Sequence, residues 1–139
     1  MLAKIFTTIA DKIWPEQAGQ ALRDAARDGN LISLQKAQAR GGDLHAADEN
    51  GLTPLCLAAA GGHAAVINYL LDQGVDIDGG PMAAGKGPAL MQAIAQGHND
   101  CALLLLDRGA RMDVTDYEQR SPLHLAIYLQ NDDMADVLL

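Results

Sequence analysis

A chain of 139 residues that is 49% apolar but only 4% aromatic fits one domain with a core of Ala and Leu rather than of rings. Its formal charge of −8 argues against nucleic acid or an anionic membrane as partner, since both are held mainly through clustered Lys and Arg. The charge is spread along the chain and reads as solubility.

Residues 1–15 stand apart from the rest of the chain. Leu2, Ile5, Phe6, Ile9 and Ile13 recur at helical spacing, with Lys4, Thr7, Thr8, Asp11 and Lys12 largely elsewhere, which predicts an amphipathic helix ending before Pro15. This segment holds the only Phe and the only Trp. It is expected to cap the apolar side of the domain or, as the sharper reading, to lay Phe6, Ile9 and Trp14 into a groove on another protein. A membrane-surface role ranks third, because two lysines are few for such a helix. Thr7, Thr8 and Asp11 interrupt any signal-peptide core and no stretch approaches a membrane span, so the expected compartment is the cytoplasm.

From residue 16 onward the sequence repeats. The stretch from Asp48 to His63, containing Thr53-Pro54-Leu55 and Gly62-His63, returns with decay at a period of about 33 residues. Upstream, Leu22, Ala25, Ala26, Gly29 and Asn30 fall where Leu55, Ala58, Ala59, Gly62 and His63 fall, and Gly41 is in register with Gly74. Downstream come Pro88 to Ala93 with Gly97-His98, two residues late, and Ser121-Pro122-Leu123-His124. The Leu70-Leu71-Asp72-Gln73-Gly74 tail recurs as Leu105-Leu106-Asp107-Arg108-Gly109. Thr53 and Ser121 are placed to cap a helix, with Pro54 and Pro122 in its first turn. Gly74 and Gly109 are placed to end a second helix in the left-handed conformation. Ala58, Ala59, Ala93 and Ala126 allow neighbouring helices to approach closely.

With these motifs, over residues 16 to 139, the chain resembles an ankyrin-repeat protein. The resemblance implies an all-α solenoid of stacked helix–turn–helix units with β-hairpin fingers, in about four repeats, at approximately 16–47, 48–80, 81–115 and 116–139. It also implies a non-catalytic protein–protein interaction module that binds through its concave edge. Residues facing that edge would be Arg27 and Asp28; Glu49, Asn50, Leu52, Ala60 and Gly61; Ala95 and Gln96; and Tyr117, Glu118, Arg120, Tyr128 and Leu129. Two tyrosines, an arginine and a leucine in the last copy make it the expected energetic centre, although Tyr128 could instead pack against the preceding repeat.

The inserted connection from Asp78 to Gly87 carries two readings. Gly80-Pro81-Met82-Ala83-Ala84-Gly85-Lys86 matches the first seven positions of a phosphate-binding loop, which makes a small nucleotide-binding protein the alternative function. Gly87 then stands where Ser or Thr would hold magnesium, and the flanks are repeat elements rather than a buried strand and a long helix. The other reading is a lengthened finger whose Met82 and Lys86 touch a partner.

Remaining residues offer no catalytic constellation and no cofactor. His63, His98 and His124 occupy repeat positions and His45 a hairpin, without Ser, Cys or carboxylate in a triad arrangement. Cys56 and Cys101 are expected as buried, reduced thiols, and with His63 and His98 they lack the local spacing of a zinc site. Asp48, Asp76, Asp78, Asp113 and Asp116 are read as turn formers. Gln119 in the slot of Gly51 predicts a reshaped finger. A last copy ending at Leu138-Leu139 without a polar cap predicts association through that edge, with a second copy of the chain or with a partner. Small size, acidity and the lack of a fused effector suggest an inhibitor, immunity-type or regulatory subunit.

Overall fold

Among the described residues the chain forms eight helices, two of them starting at the predicted caps Thr53 and Ser121: α1 (Pro15–Asp28), α2 (Leu31–Ala39), α3 (Pro54–Gly61), α4 (Ala64–Asp72), α5 (Ala89–Ala95), α6 (Asn99–Asp107), α7 (Pro122–Tyr128) and α8 (Asp132–Leu138). This computed structural model describes residues 15–79, 87–116 and 118–139. The amphipathic segment ahead of Pro15, the phosphate-loop-like stretch Gly80 to Lys86 with Met82 and Lys86, and Tyr117 lie outside the described residues.

The helices stack as four pairs. α1, α3, α5 and α7 touch one another in succession, each packs on the second helix of its own pair, and α4 also meets α6. Alanine makes this spacing workable: Ala26, Ala58, Ala59, Ala93 and Ala126 are fully buried where first helices meet. Between and behind them Leu22, Leu34, Leu55, Ile67, Leu70, Leu90 and Leu105 form one continuous core. α3 is apolar on every side, with all residues from Pro54 to Ala59 buried, because α1, α5 and α4 surround it.

Caps end the helices as their chemistry requires. Thr53 Oγ1 accepts from Cys56 N at 3.3 Å, and Asn30 Oδ1 accepts from Ser33 N at 3.1 Å. At Ser121 the cap is reciprocal: the hydroxyl accepts from His124 N at 3.2 Å, and His124 Nδ1 accepts from Ser121 N at 3.3 Å. α5 has no such side-chain cap, since Pro88 occupies that slot, and the buried Gln92 amide instead donates to the Gly87 carbonyl at 3.4 Å.

Fingers between the pairs are aspartate turns, and among the described residues none pairs as a β-ladder. Asp48 Oδ1 accepts from Asn50 N at 2.8 Å and Leu52 N at 2.9 Å, and Asp48 N donates to the Leu52 carbonyl at 2.9 Å. Asp116 repeats this with Glu118 N at 2.9 Å, Arg120 N at 3.0 Å and the Arg120 carbonyl at 3.0 Å. The last finger is therefore not reshaped, which corrects the expectation from Gln119. Gln119 takes φ of 63° where Gly51 has 79°, and the surrounding aspartate bonds outweigh the roughly 1–2 kcal/mol that this conformation costs a residue with a Cβ.

Candidate protein-binding surface

The side chains expected on the concave edge fall into two rows, one at the ends of the first helices and one on the fingers. Arg27, Asp28 and Gln96 are exposed at helix ends, and Glu49, Asn50 and Glu118 are exposed on fingers. Arg27 is already paired, 3.2 Å from Asp24. Leu52 departs from the expected outward position. It is half-buried against the core, where its apolar surface is removed from water.

The last pair gathers the most. Tyr128 is 72% exposed, so it does not pack into the third pair, and Leu129 beside it is exposed as well. The Arg120 guanidinium lies 5.6 Å from the centroid of the Tyr128 ring, within cation–π range. That guanidinium is itself fixed, with Nε 2.8 Å from Asp116 Oδ2 and 3.3 Å from Glu118 Oε2. Glu118, Arg120 and Tyr128 thus form one connected group, whereas Glu49 and Asn50 belong to an earlier finger. Ile127 is also exposed, and repeat register did not single it out.

Asp116 anchors the group. Burial raises the cost of ionising it, but the Arg120 amide, the Arg120 guanidinium and the Glu118 amide outweigh that cost and hold its carboxyl below the usual carboxylate value. A depressed value in the folded state means the contribution is present above the ordinary aspartate range and is lost as pH falls through the lowered value. Asp116→Asn should therefore cost about 1–3 kcal/mol at pH 7, since hydrogen bonds to a charged acceptor are lost. The difference from the native chain should shrink in acid. Urea unfolding at pH 7 and at strongly acid pH checks this, and a difference independent of pH would contradict it.

The histidines serve the stack. His63 Nε2 lies 2.8 Å from the Arg27 carbonyl one pair back, and His124 closes the Ser121 cap. The close Ser121–His124 approach uses both partners in capping, which leaves the hydroxyl engaged with backbone. Cys56 and Cys101 are buried free thiols. Burial pushes both up, opposed at Cys56 by hydrogen bonds from Thr53 and helped at Cys101 by the charge of Asp100. Among the described residues no three His, Cys, Asp or Glu side chains gather as a metal site, and no helix is long and apolar enough to cross a membrane. Gly87 is buried in the turn leading through Pro88 into the seven-residue α5, and a Cβ there would lie 3.0 Å from Met91 Cγ. A short helix packed this tightly is not the long helix that opens behind a phosphate loop.

A feature the repeat reading passed over is the interface between the third and fourth pairs. Gln96 and Leu129 both line a solvent-open cleft there, together with Gly97 and Asn131. Its sequence signal was present, as Gln130-Asn131 stands where the second and third copies have Gly-His and the first has Gly29-Asn30.

A family model for ankyrin repeats, in three copies, matches residues 22–116 and 84–139. Human ankyrin repeat and KH domain-containing protein 1 is 40% identical over 74 residues, which cover 53% of this chain and 3% of that protein. Drosophila melanogaster protein fem-1 homolog CG6966 is 34% identical over 106 residues, covering 66% of this chain and 16% of the relative. Caenorhabditis elegans E3 ubiquitin-protein ligase hecd-1 is 33% identical over 119 residues, 85% of this chain and 4% of the ligase. The chain thus spans a small fraction of the length of these relatives.

Proposed function

The chain belongs to the ankyrin-repeat family, and from that premise we propose that this protein–protein interaction module acts without turnover, as an inhibitory or regulatory subunit in the cytoplasm that occludes a partner with the concave edge of its last two repeats. The observation that carries this reading is Tyr128. A tyrosine ring left 72% exposed at a helix end is poorly explained by stability, and this one is oriented by a guanidinium that two carboxylates already hold. Arg120 is thereby held before a partner arrives and favours one side for the ring, which reduces part of the entropy lost on binding. Tyr and Arg are the residue types enriched at interface hot spots. The acidic chain would meet a basic face on that partner, so association should slow as salt is added.

Affinity capture from host lysate followed by mass spectrometry identifies the partner, and titration with that partner then compares the native chain with Tyr128→Ala. Because the side chain is exposed, the variant should melt within about 0.5 kcal/mol of the native chain. Its affinity should fall by roughly 30-fold or more, as for a hot-spot aromatic. A folded variant with native affinity would remove the last repeat from the binding surface, and an on-rate insensitive to salt would remove the electrostatic component.

A further inference from the structure

All four first helices end on a residue in the left-handed region: Gly29, Gly62 and Gly97 at φ of 77°, 77° and 75°, and Gln130 at 59°. What covers the three glycines differs. A Cβ on Gly29 would fall 2.3 Å from Nδ1 of His63, and one on Gly62 would fall 2.7 Å from Nδ1 of His98. A Cβ on Gly97 would meet nothing within 4 Å.

The cause is one residue. Asn131 occupies the register of His63 and His98, and its amide turns aside to Asn99. Asn131 Nδ2 donates to Asn99 Oδ1 at 2.7 Å, Asn99 Nδ2 donates to Asn131 Oδ1 at 3.2 Å, and that same Oδ1 accepts from Met134 N at 3.2 Å. The place that an imidazole fills in two interfaces is therefore open in the third, as a cleft of about 500 Å³ over Gly97 between Gln96 and Leu129.

Of the two rings, that of His63 also bonds across its interface, whereas among the described residues the His98 ring over Gly62 has no such bond. His63 Nε2 lies 2.8 Å from the Arg27 carbonyl, and because a carbonyl only accepts, Nε2 carries the proton. Arg27 is in the last turn of α1, where carbonyls lack intrahelical partners. Ala95 is its register equivalent at the end of α5, and among the described residues no backbone or side-chain donor reaches the Ala95 carbonyl. The cleft thus offers a flat glycine floor, mixed walls in which Gln96, Asn99 and Gln130 stand beside Ile94 and Leu129, and a free acceptor, which suits a planar ring bearing an N–H.

We propose that the cleft over Gly97 binds the imidazole of a histidine on a partner polypeptide, which stacks on Gly97 and donates to the Ala95 carbonyl as His63 does to Arg27. Only the assignment of the ring to a partner rests on the protein-binding reading. The cleft is tested without any partner, by titrating N-acetylhistidine methylamide into the 15N-labelled chain, with N-acetylphenylalanine methylamide as the ring lacking N–H. Saturable shifts at the Gly97, Gln130 and Asn131 amides are expected with the histidine probe and not with the phenylalanine probe. They should vanish in Asn131→His, whose own ring closes the cleft, and in Ala95→Leu, an exposed change that fills its mouth without disturbing the Asn131 cap. Absence of saturable shifts, equal shifts with both probes, or shifts that survive in both folded variants would overturn the proposal. Failure here combined with lost partner affinity in Tyr128→Ala would leave the binding surface standing, and the converse result would leave the cleft.

Discussion

Gly29→Ala is expected to destabilise the chain by about 2–5 kcal/mol, a large part of the total stability of a domain this size. Two costs add. The backbone at φ of 77° resists any side chain with a Cβ, and the new methyl would fall 2.3 Å from the His63 ring, which is held by its bond to the Arg27 carbonyl and cannot withdraw without breaking it. Gly97→Ala isolates the first cost. The same backbone conformation faces open space, so about 1–2 kcal/mol is expected. Urea unfolding of the two variants measures the difference, which is the share owed to the histidine. In Gly29→Ala combined with His63→Ala the loss should be less than the sum of the single changes, because the overlap disappears with the ring. Equal losses for Gly29→Ala and Gly97→Ala would mean that the rings are mobile enough to step aside, and would weaken the view of the Gly97 cleft as a vacated ring site.

That pair of glycines shows where the sequence was legible and where it was not. Thr53 and Ser121 announce helix starts because a side-chain acceptor at the cap is a local need, satisfied within three residues. Gly74 and Gly109 announce helix ends for the same local reason. The family of the chain follows from many such signals agreeing at one period. Gln119 misled because the glycine rule considers one residue's backbone, whereas Asp116 holds the turn from several sides at once. Leu52 misled because register gives a direction but not what a leucine will cover. The surface was harder to read. Tyr128 and Leu129 could be placed on the edge by counting, but the cluster of Arg120, Asp116 and Glu118 that orients Tyr128 depends on geometry that no spacing rule contains. The cleft over Gly97 is marked only by a departure, Gln130-Asn131 for Gly-His, and a departure has meaning only once the role of the histidine ring is seen in the other interfaces.

Leu90→Ala and Met134→Ala should each cost about 2–5 kcal/mol locally, yet spread differently through the stack. Both side chains are buried, Leu90 in α5 and Met134 in α8. α5 touches α3 on one side and α7 on the other, whereas α8 packs mainly on α7. In a solenoid, stability is close to a sum of repeat and nearest-neighbour terms, so damage in an interior repeat weakens two interfaces and damage at the end weakens one. Leu90→Ala should lower the unfolding midpoint of the whole chain. Met134→Ala should detach the last pair, with hydrogen-exchange protection lost across α7 and α8 and retained in α1 to α6. Since Tyr128 is presented by α7, Met134→Ala should also abolish partner binding although Met134 is buried and touches no partner. Added partner at saturating concentration should then restore protection in α7 and α8, because a ligand that binds only the folded form stabilises it by mass action. Uniform loss of protection in Met134→Ala would show that four repeats fold as one unit, and unchanged binding would place the contact surface nearer the first repeats.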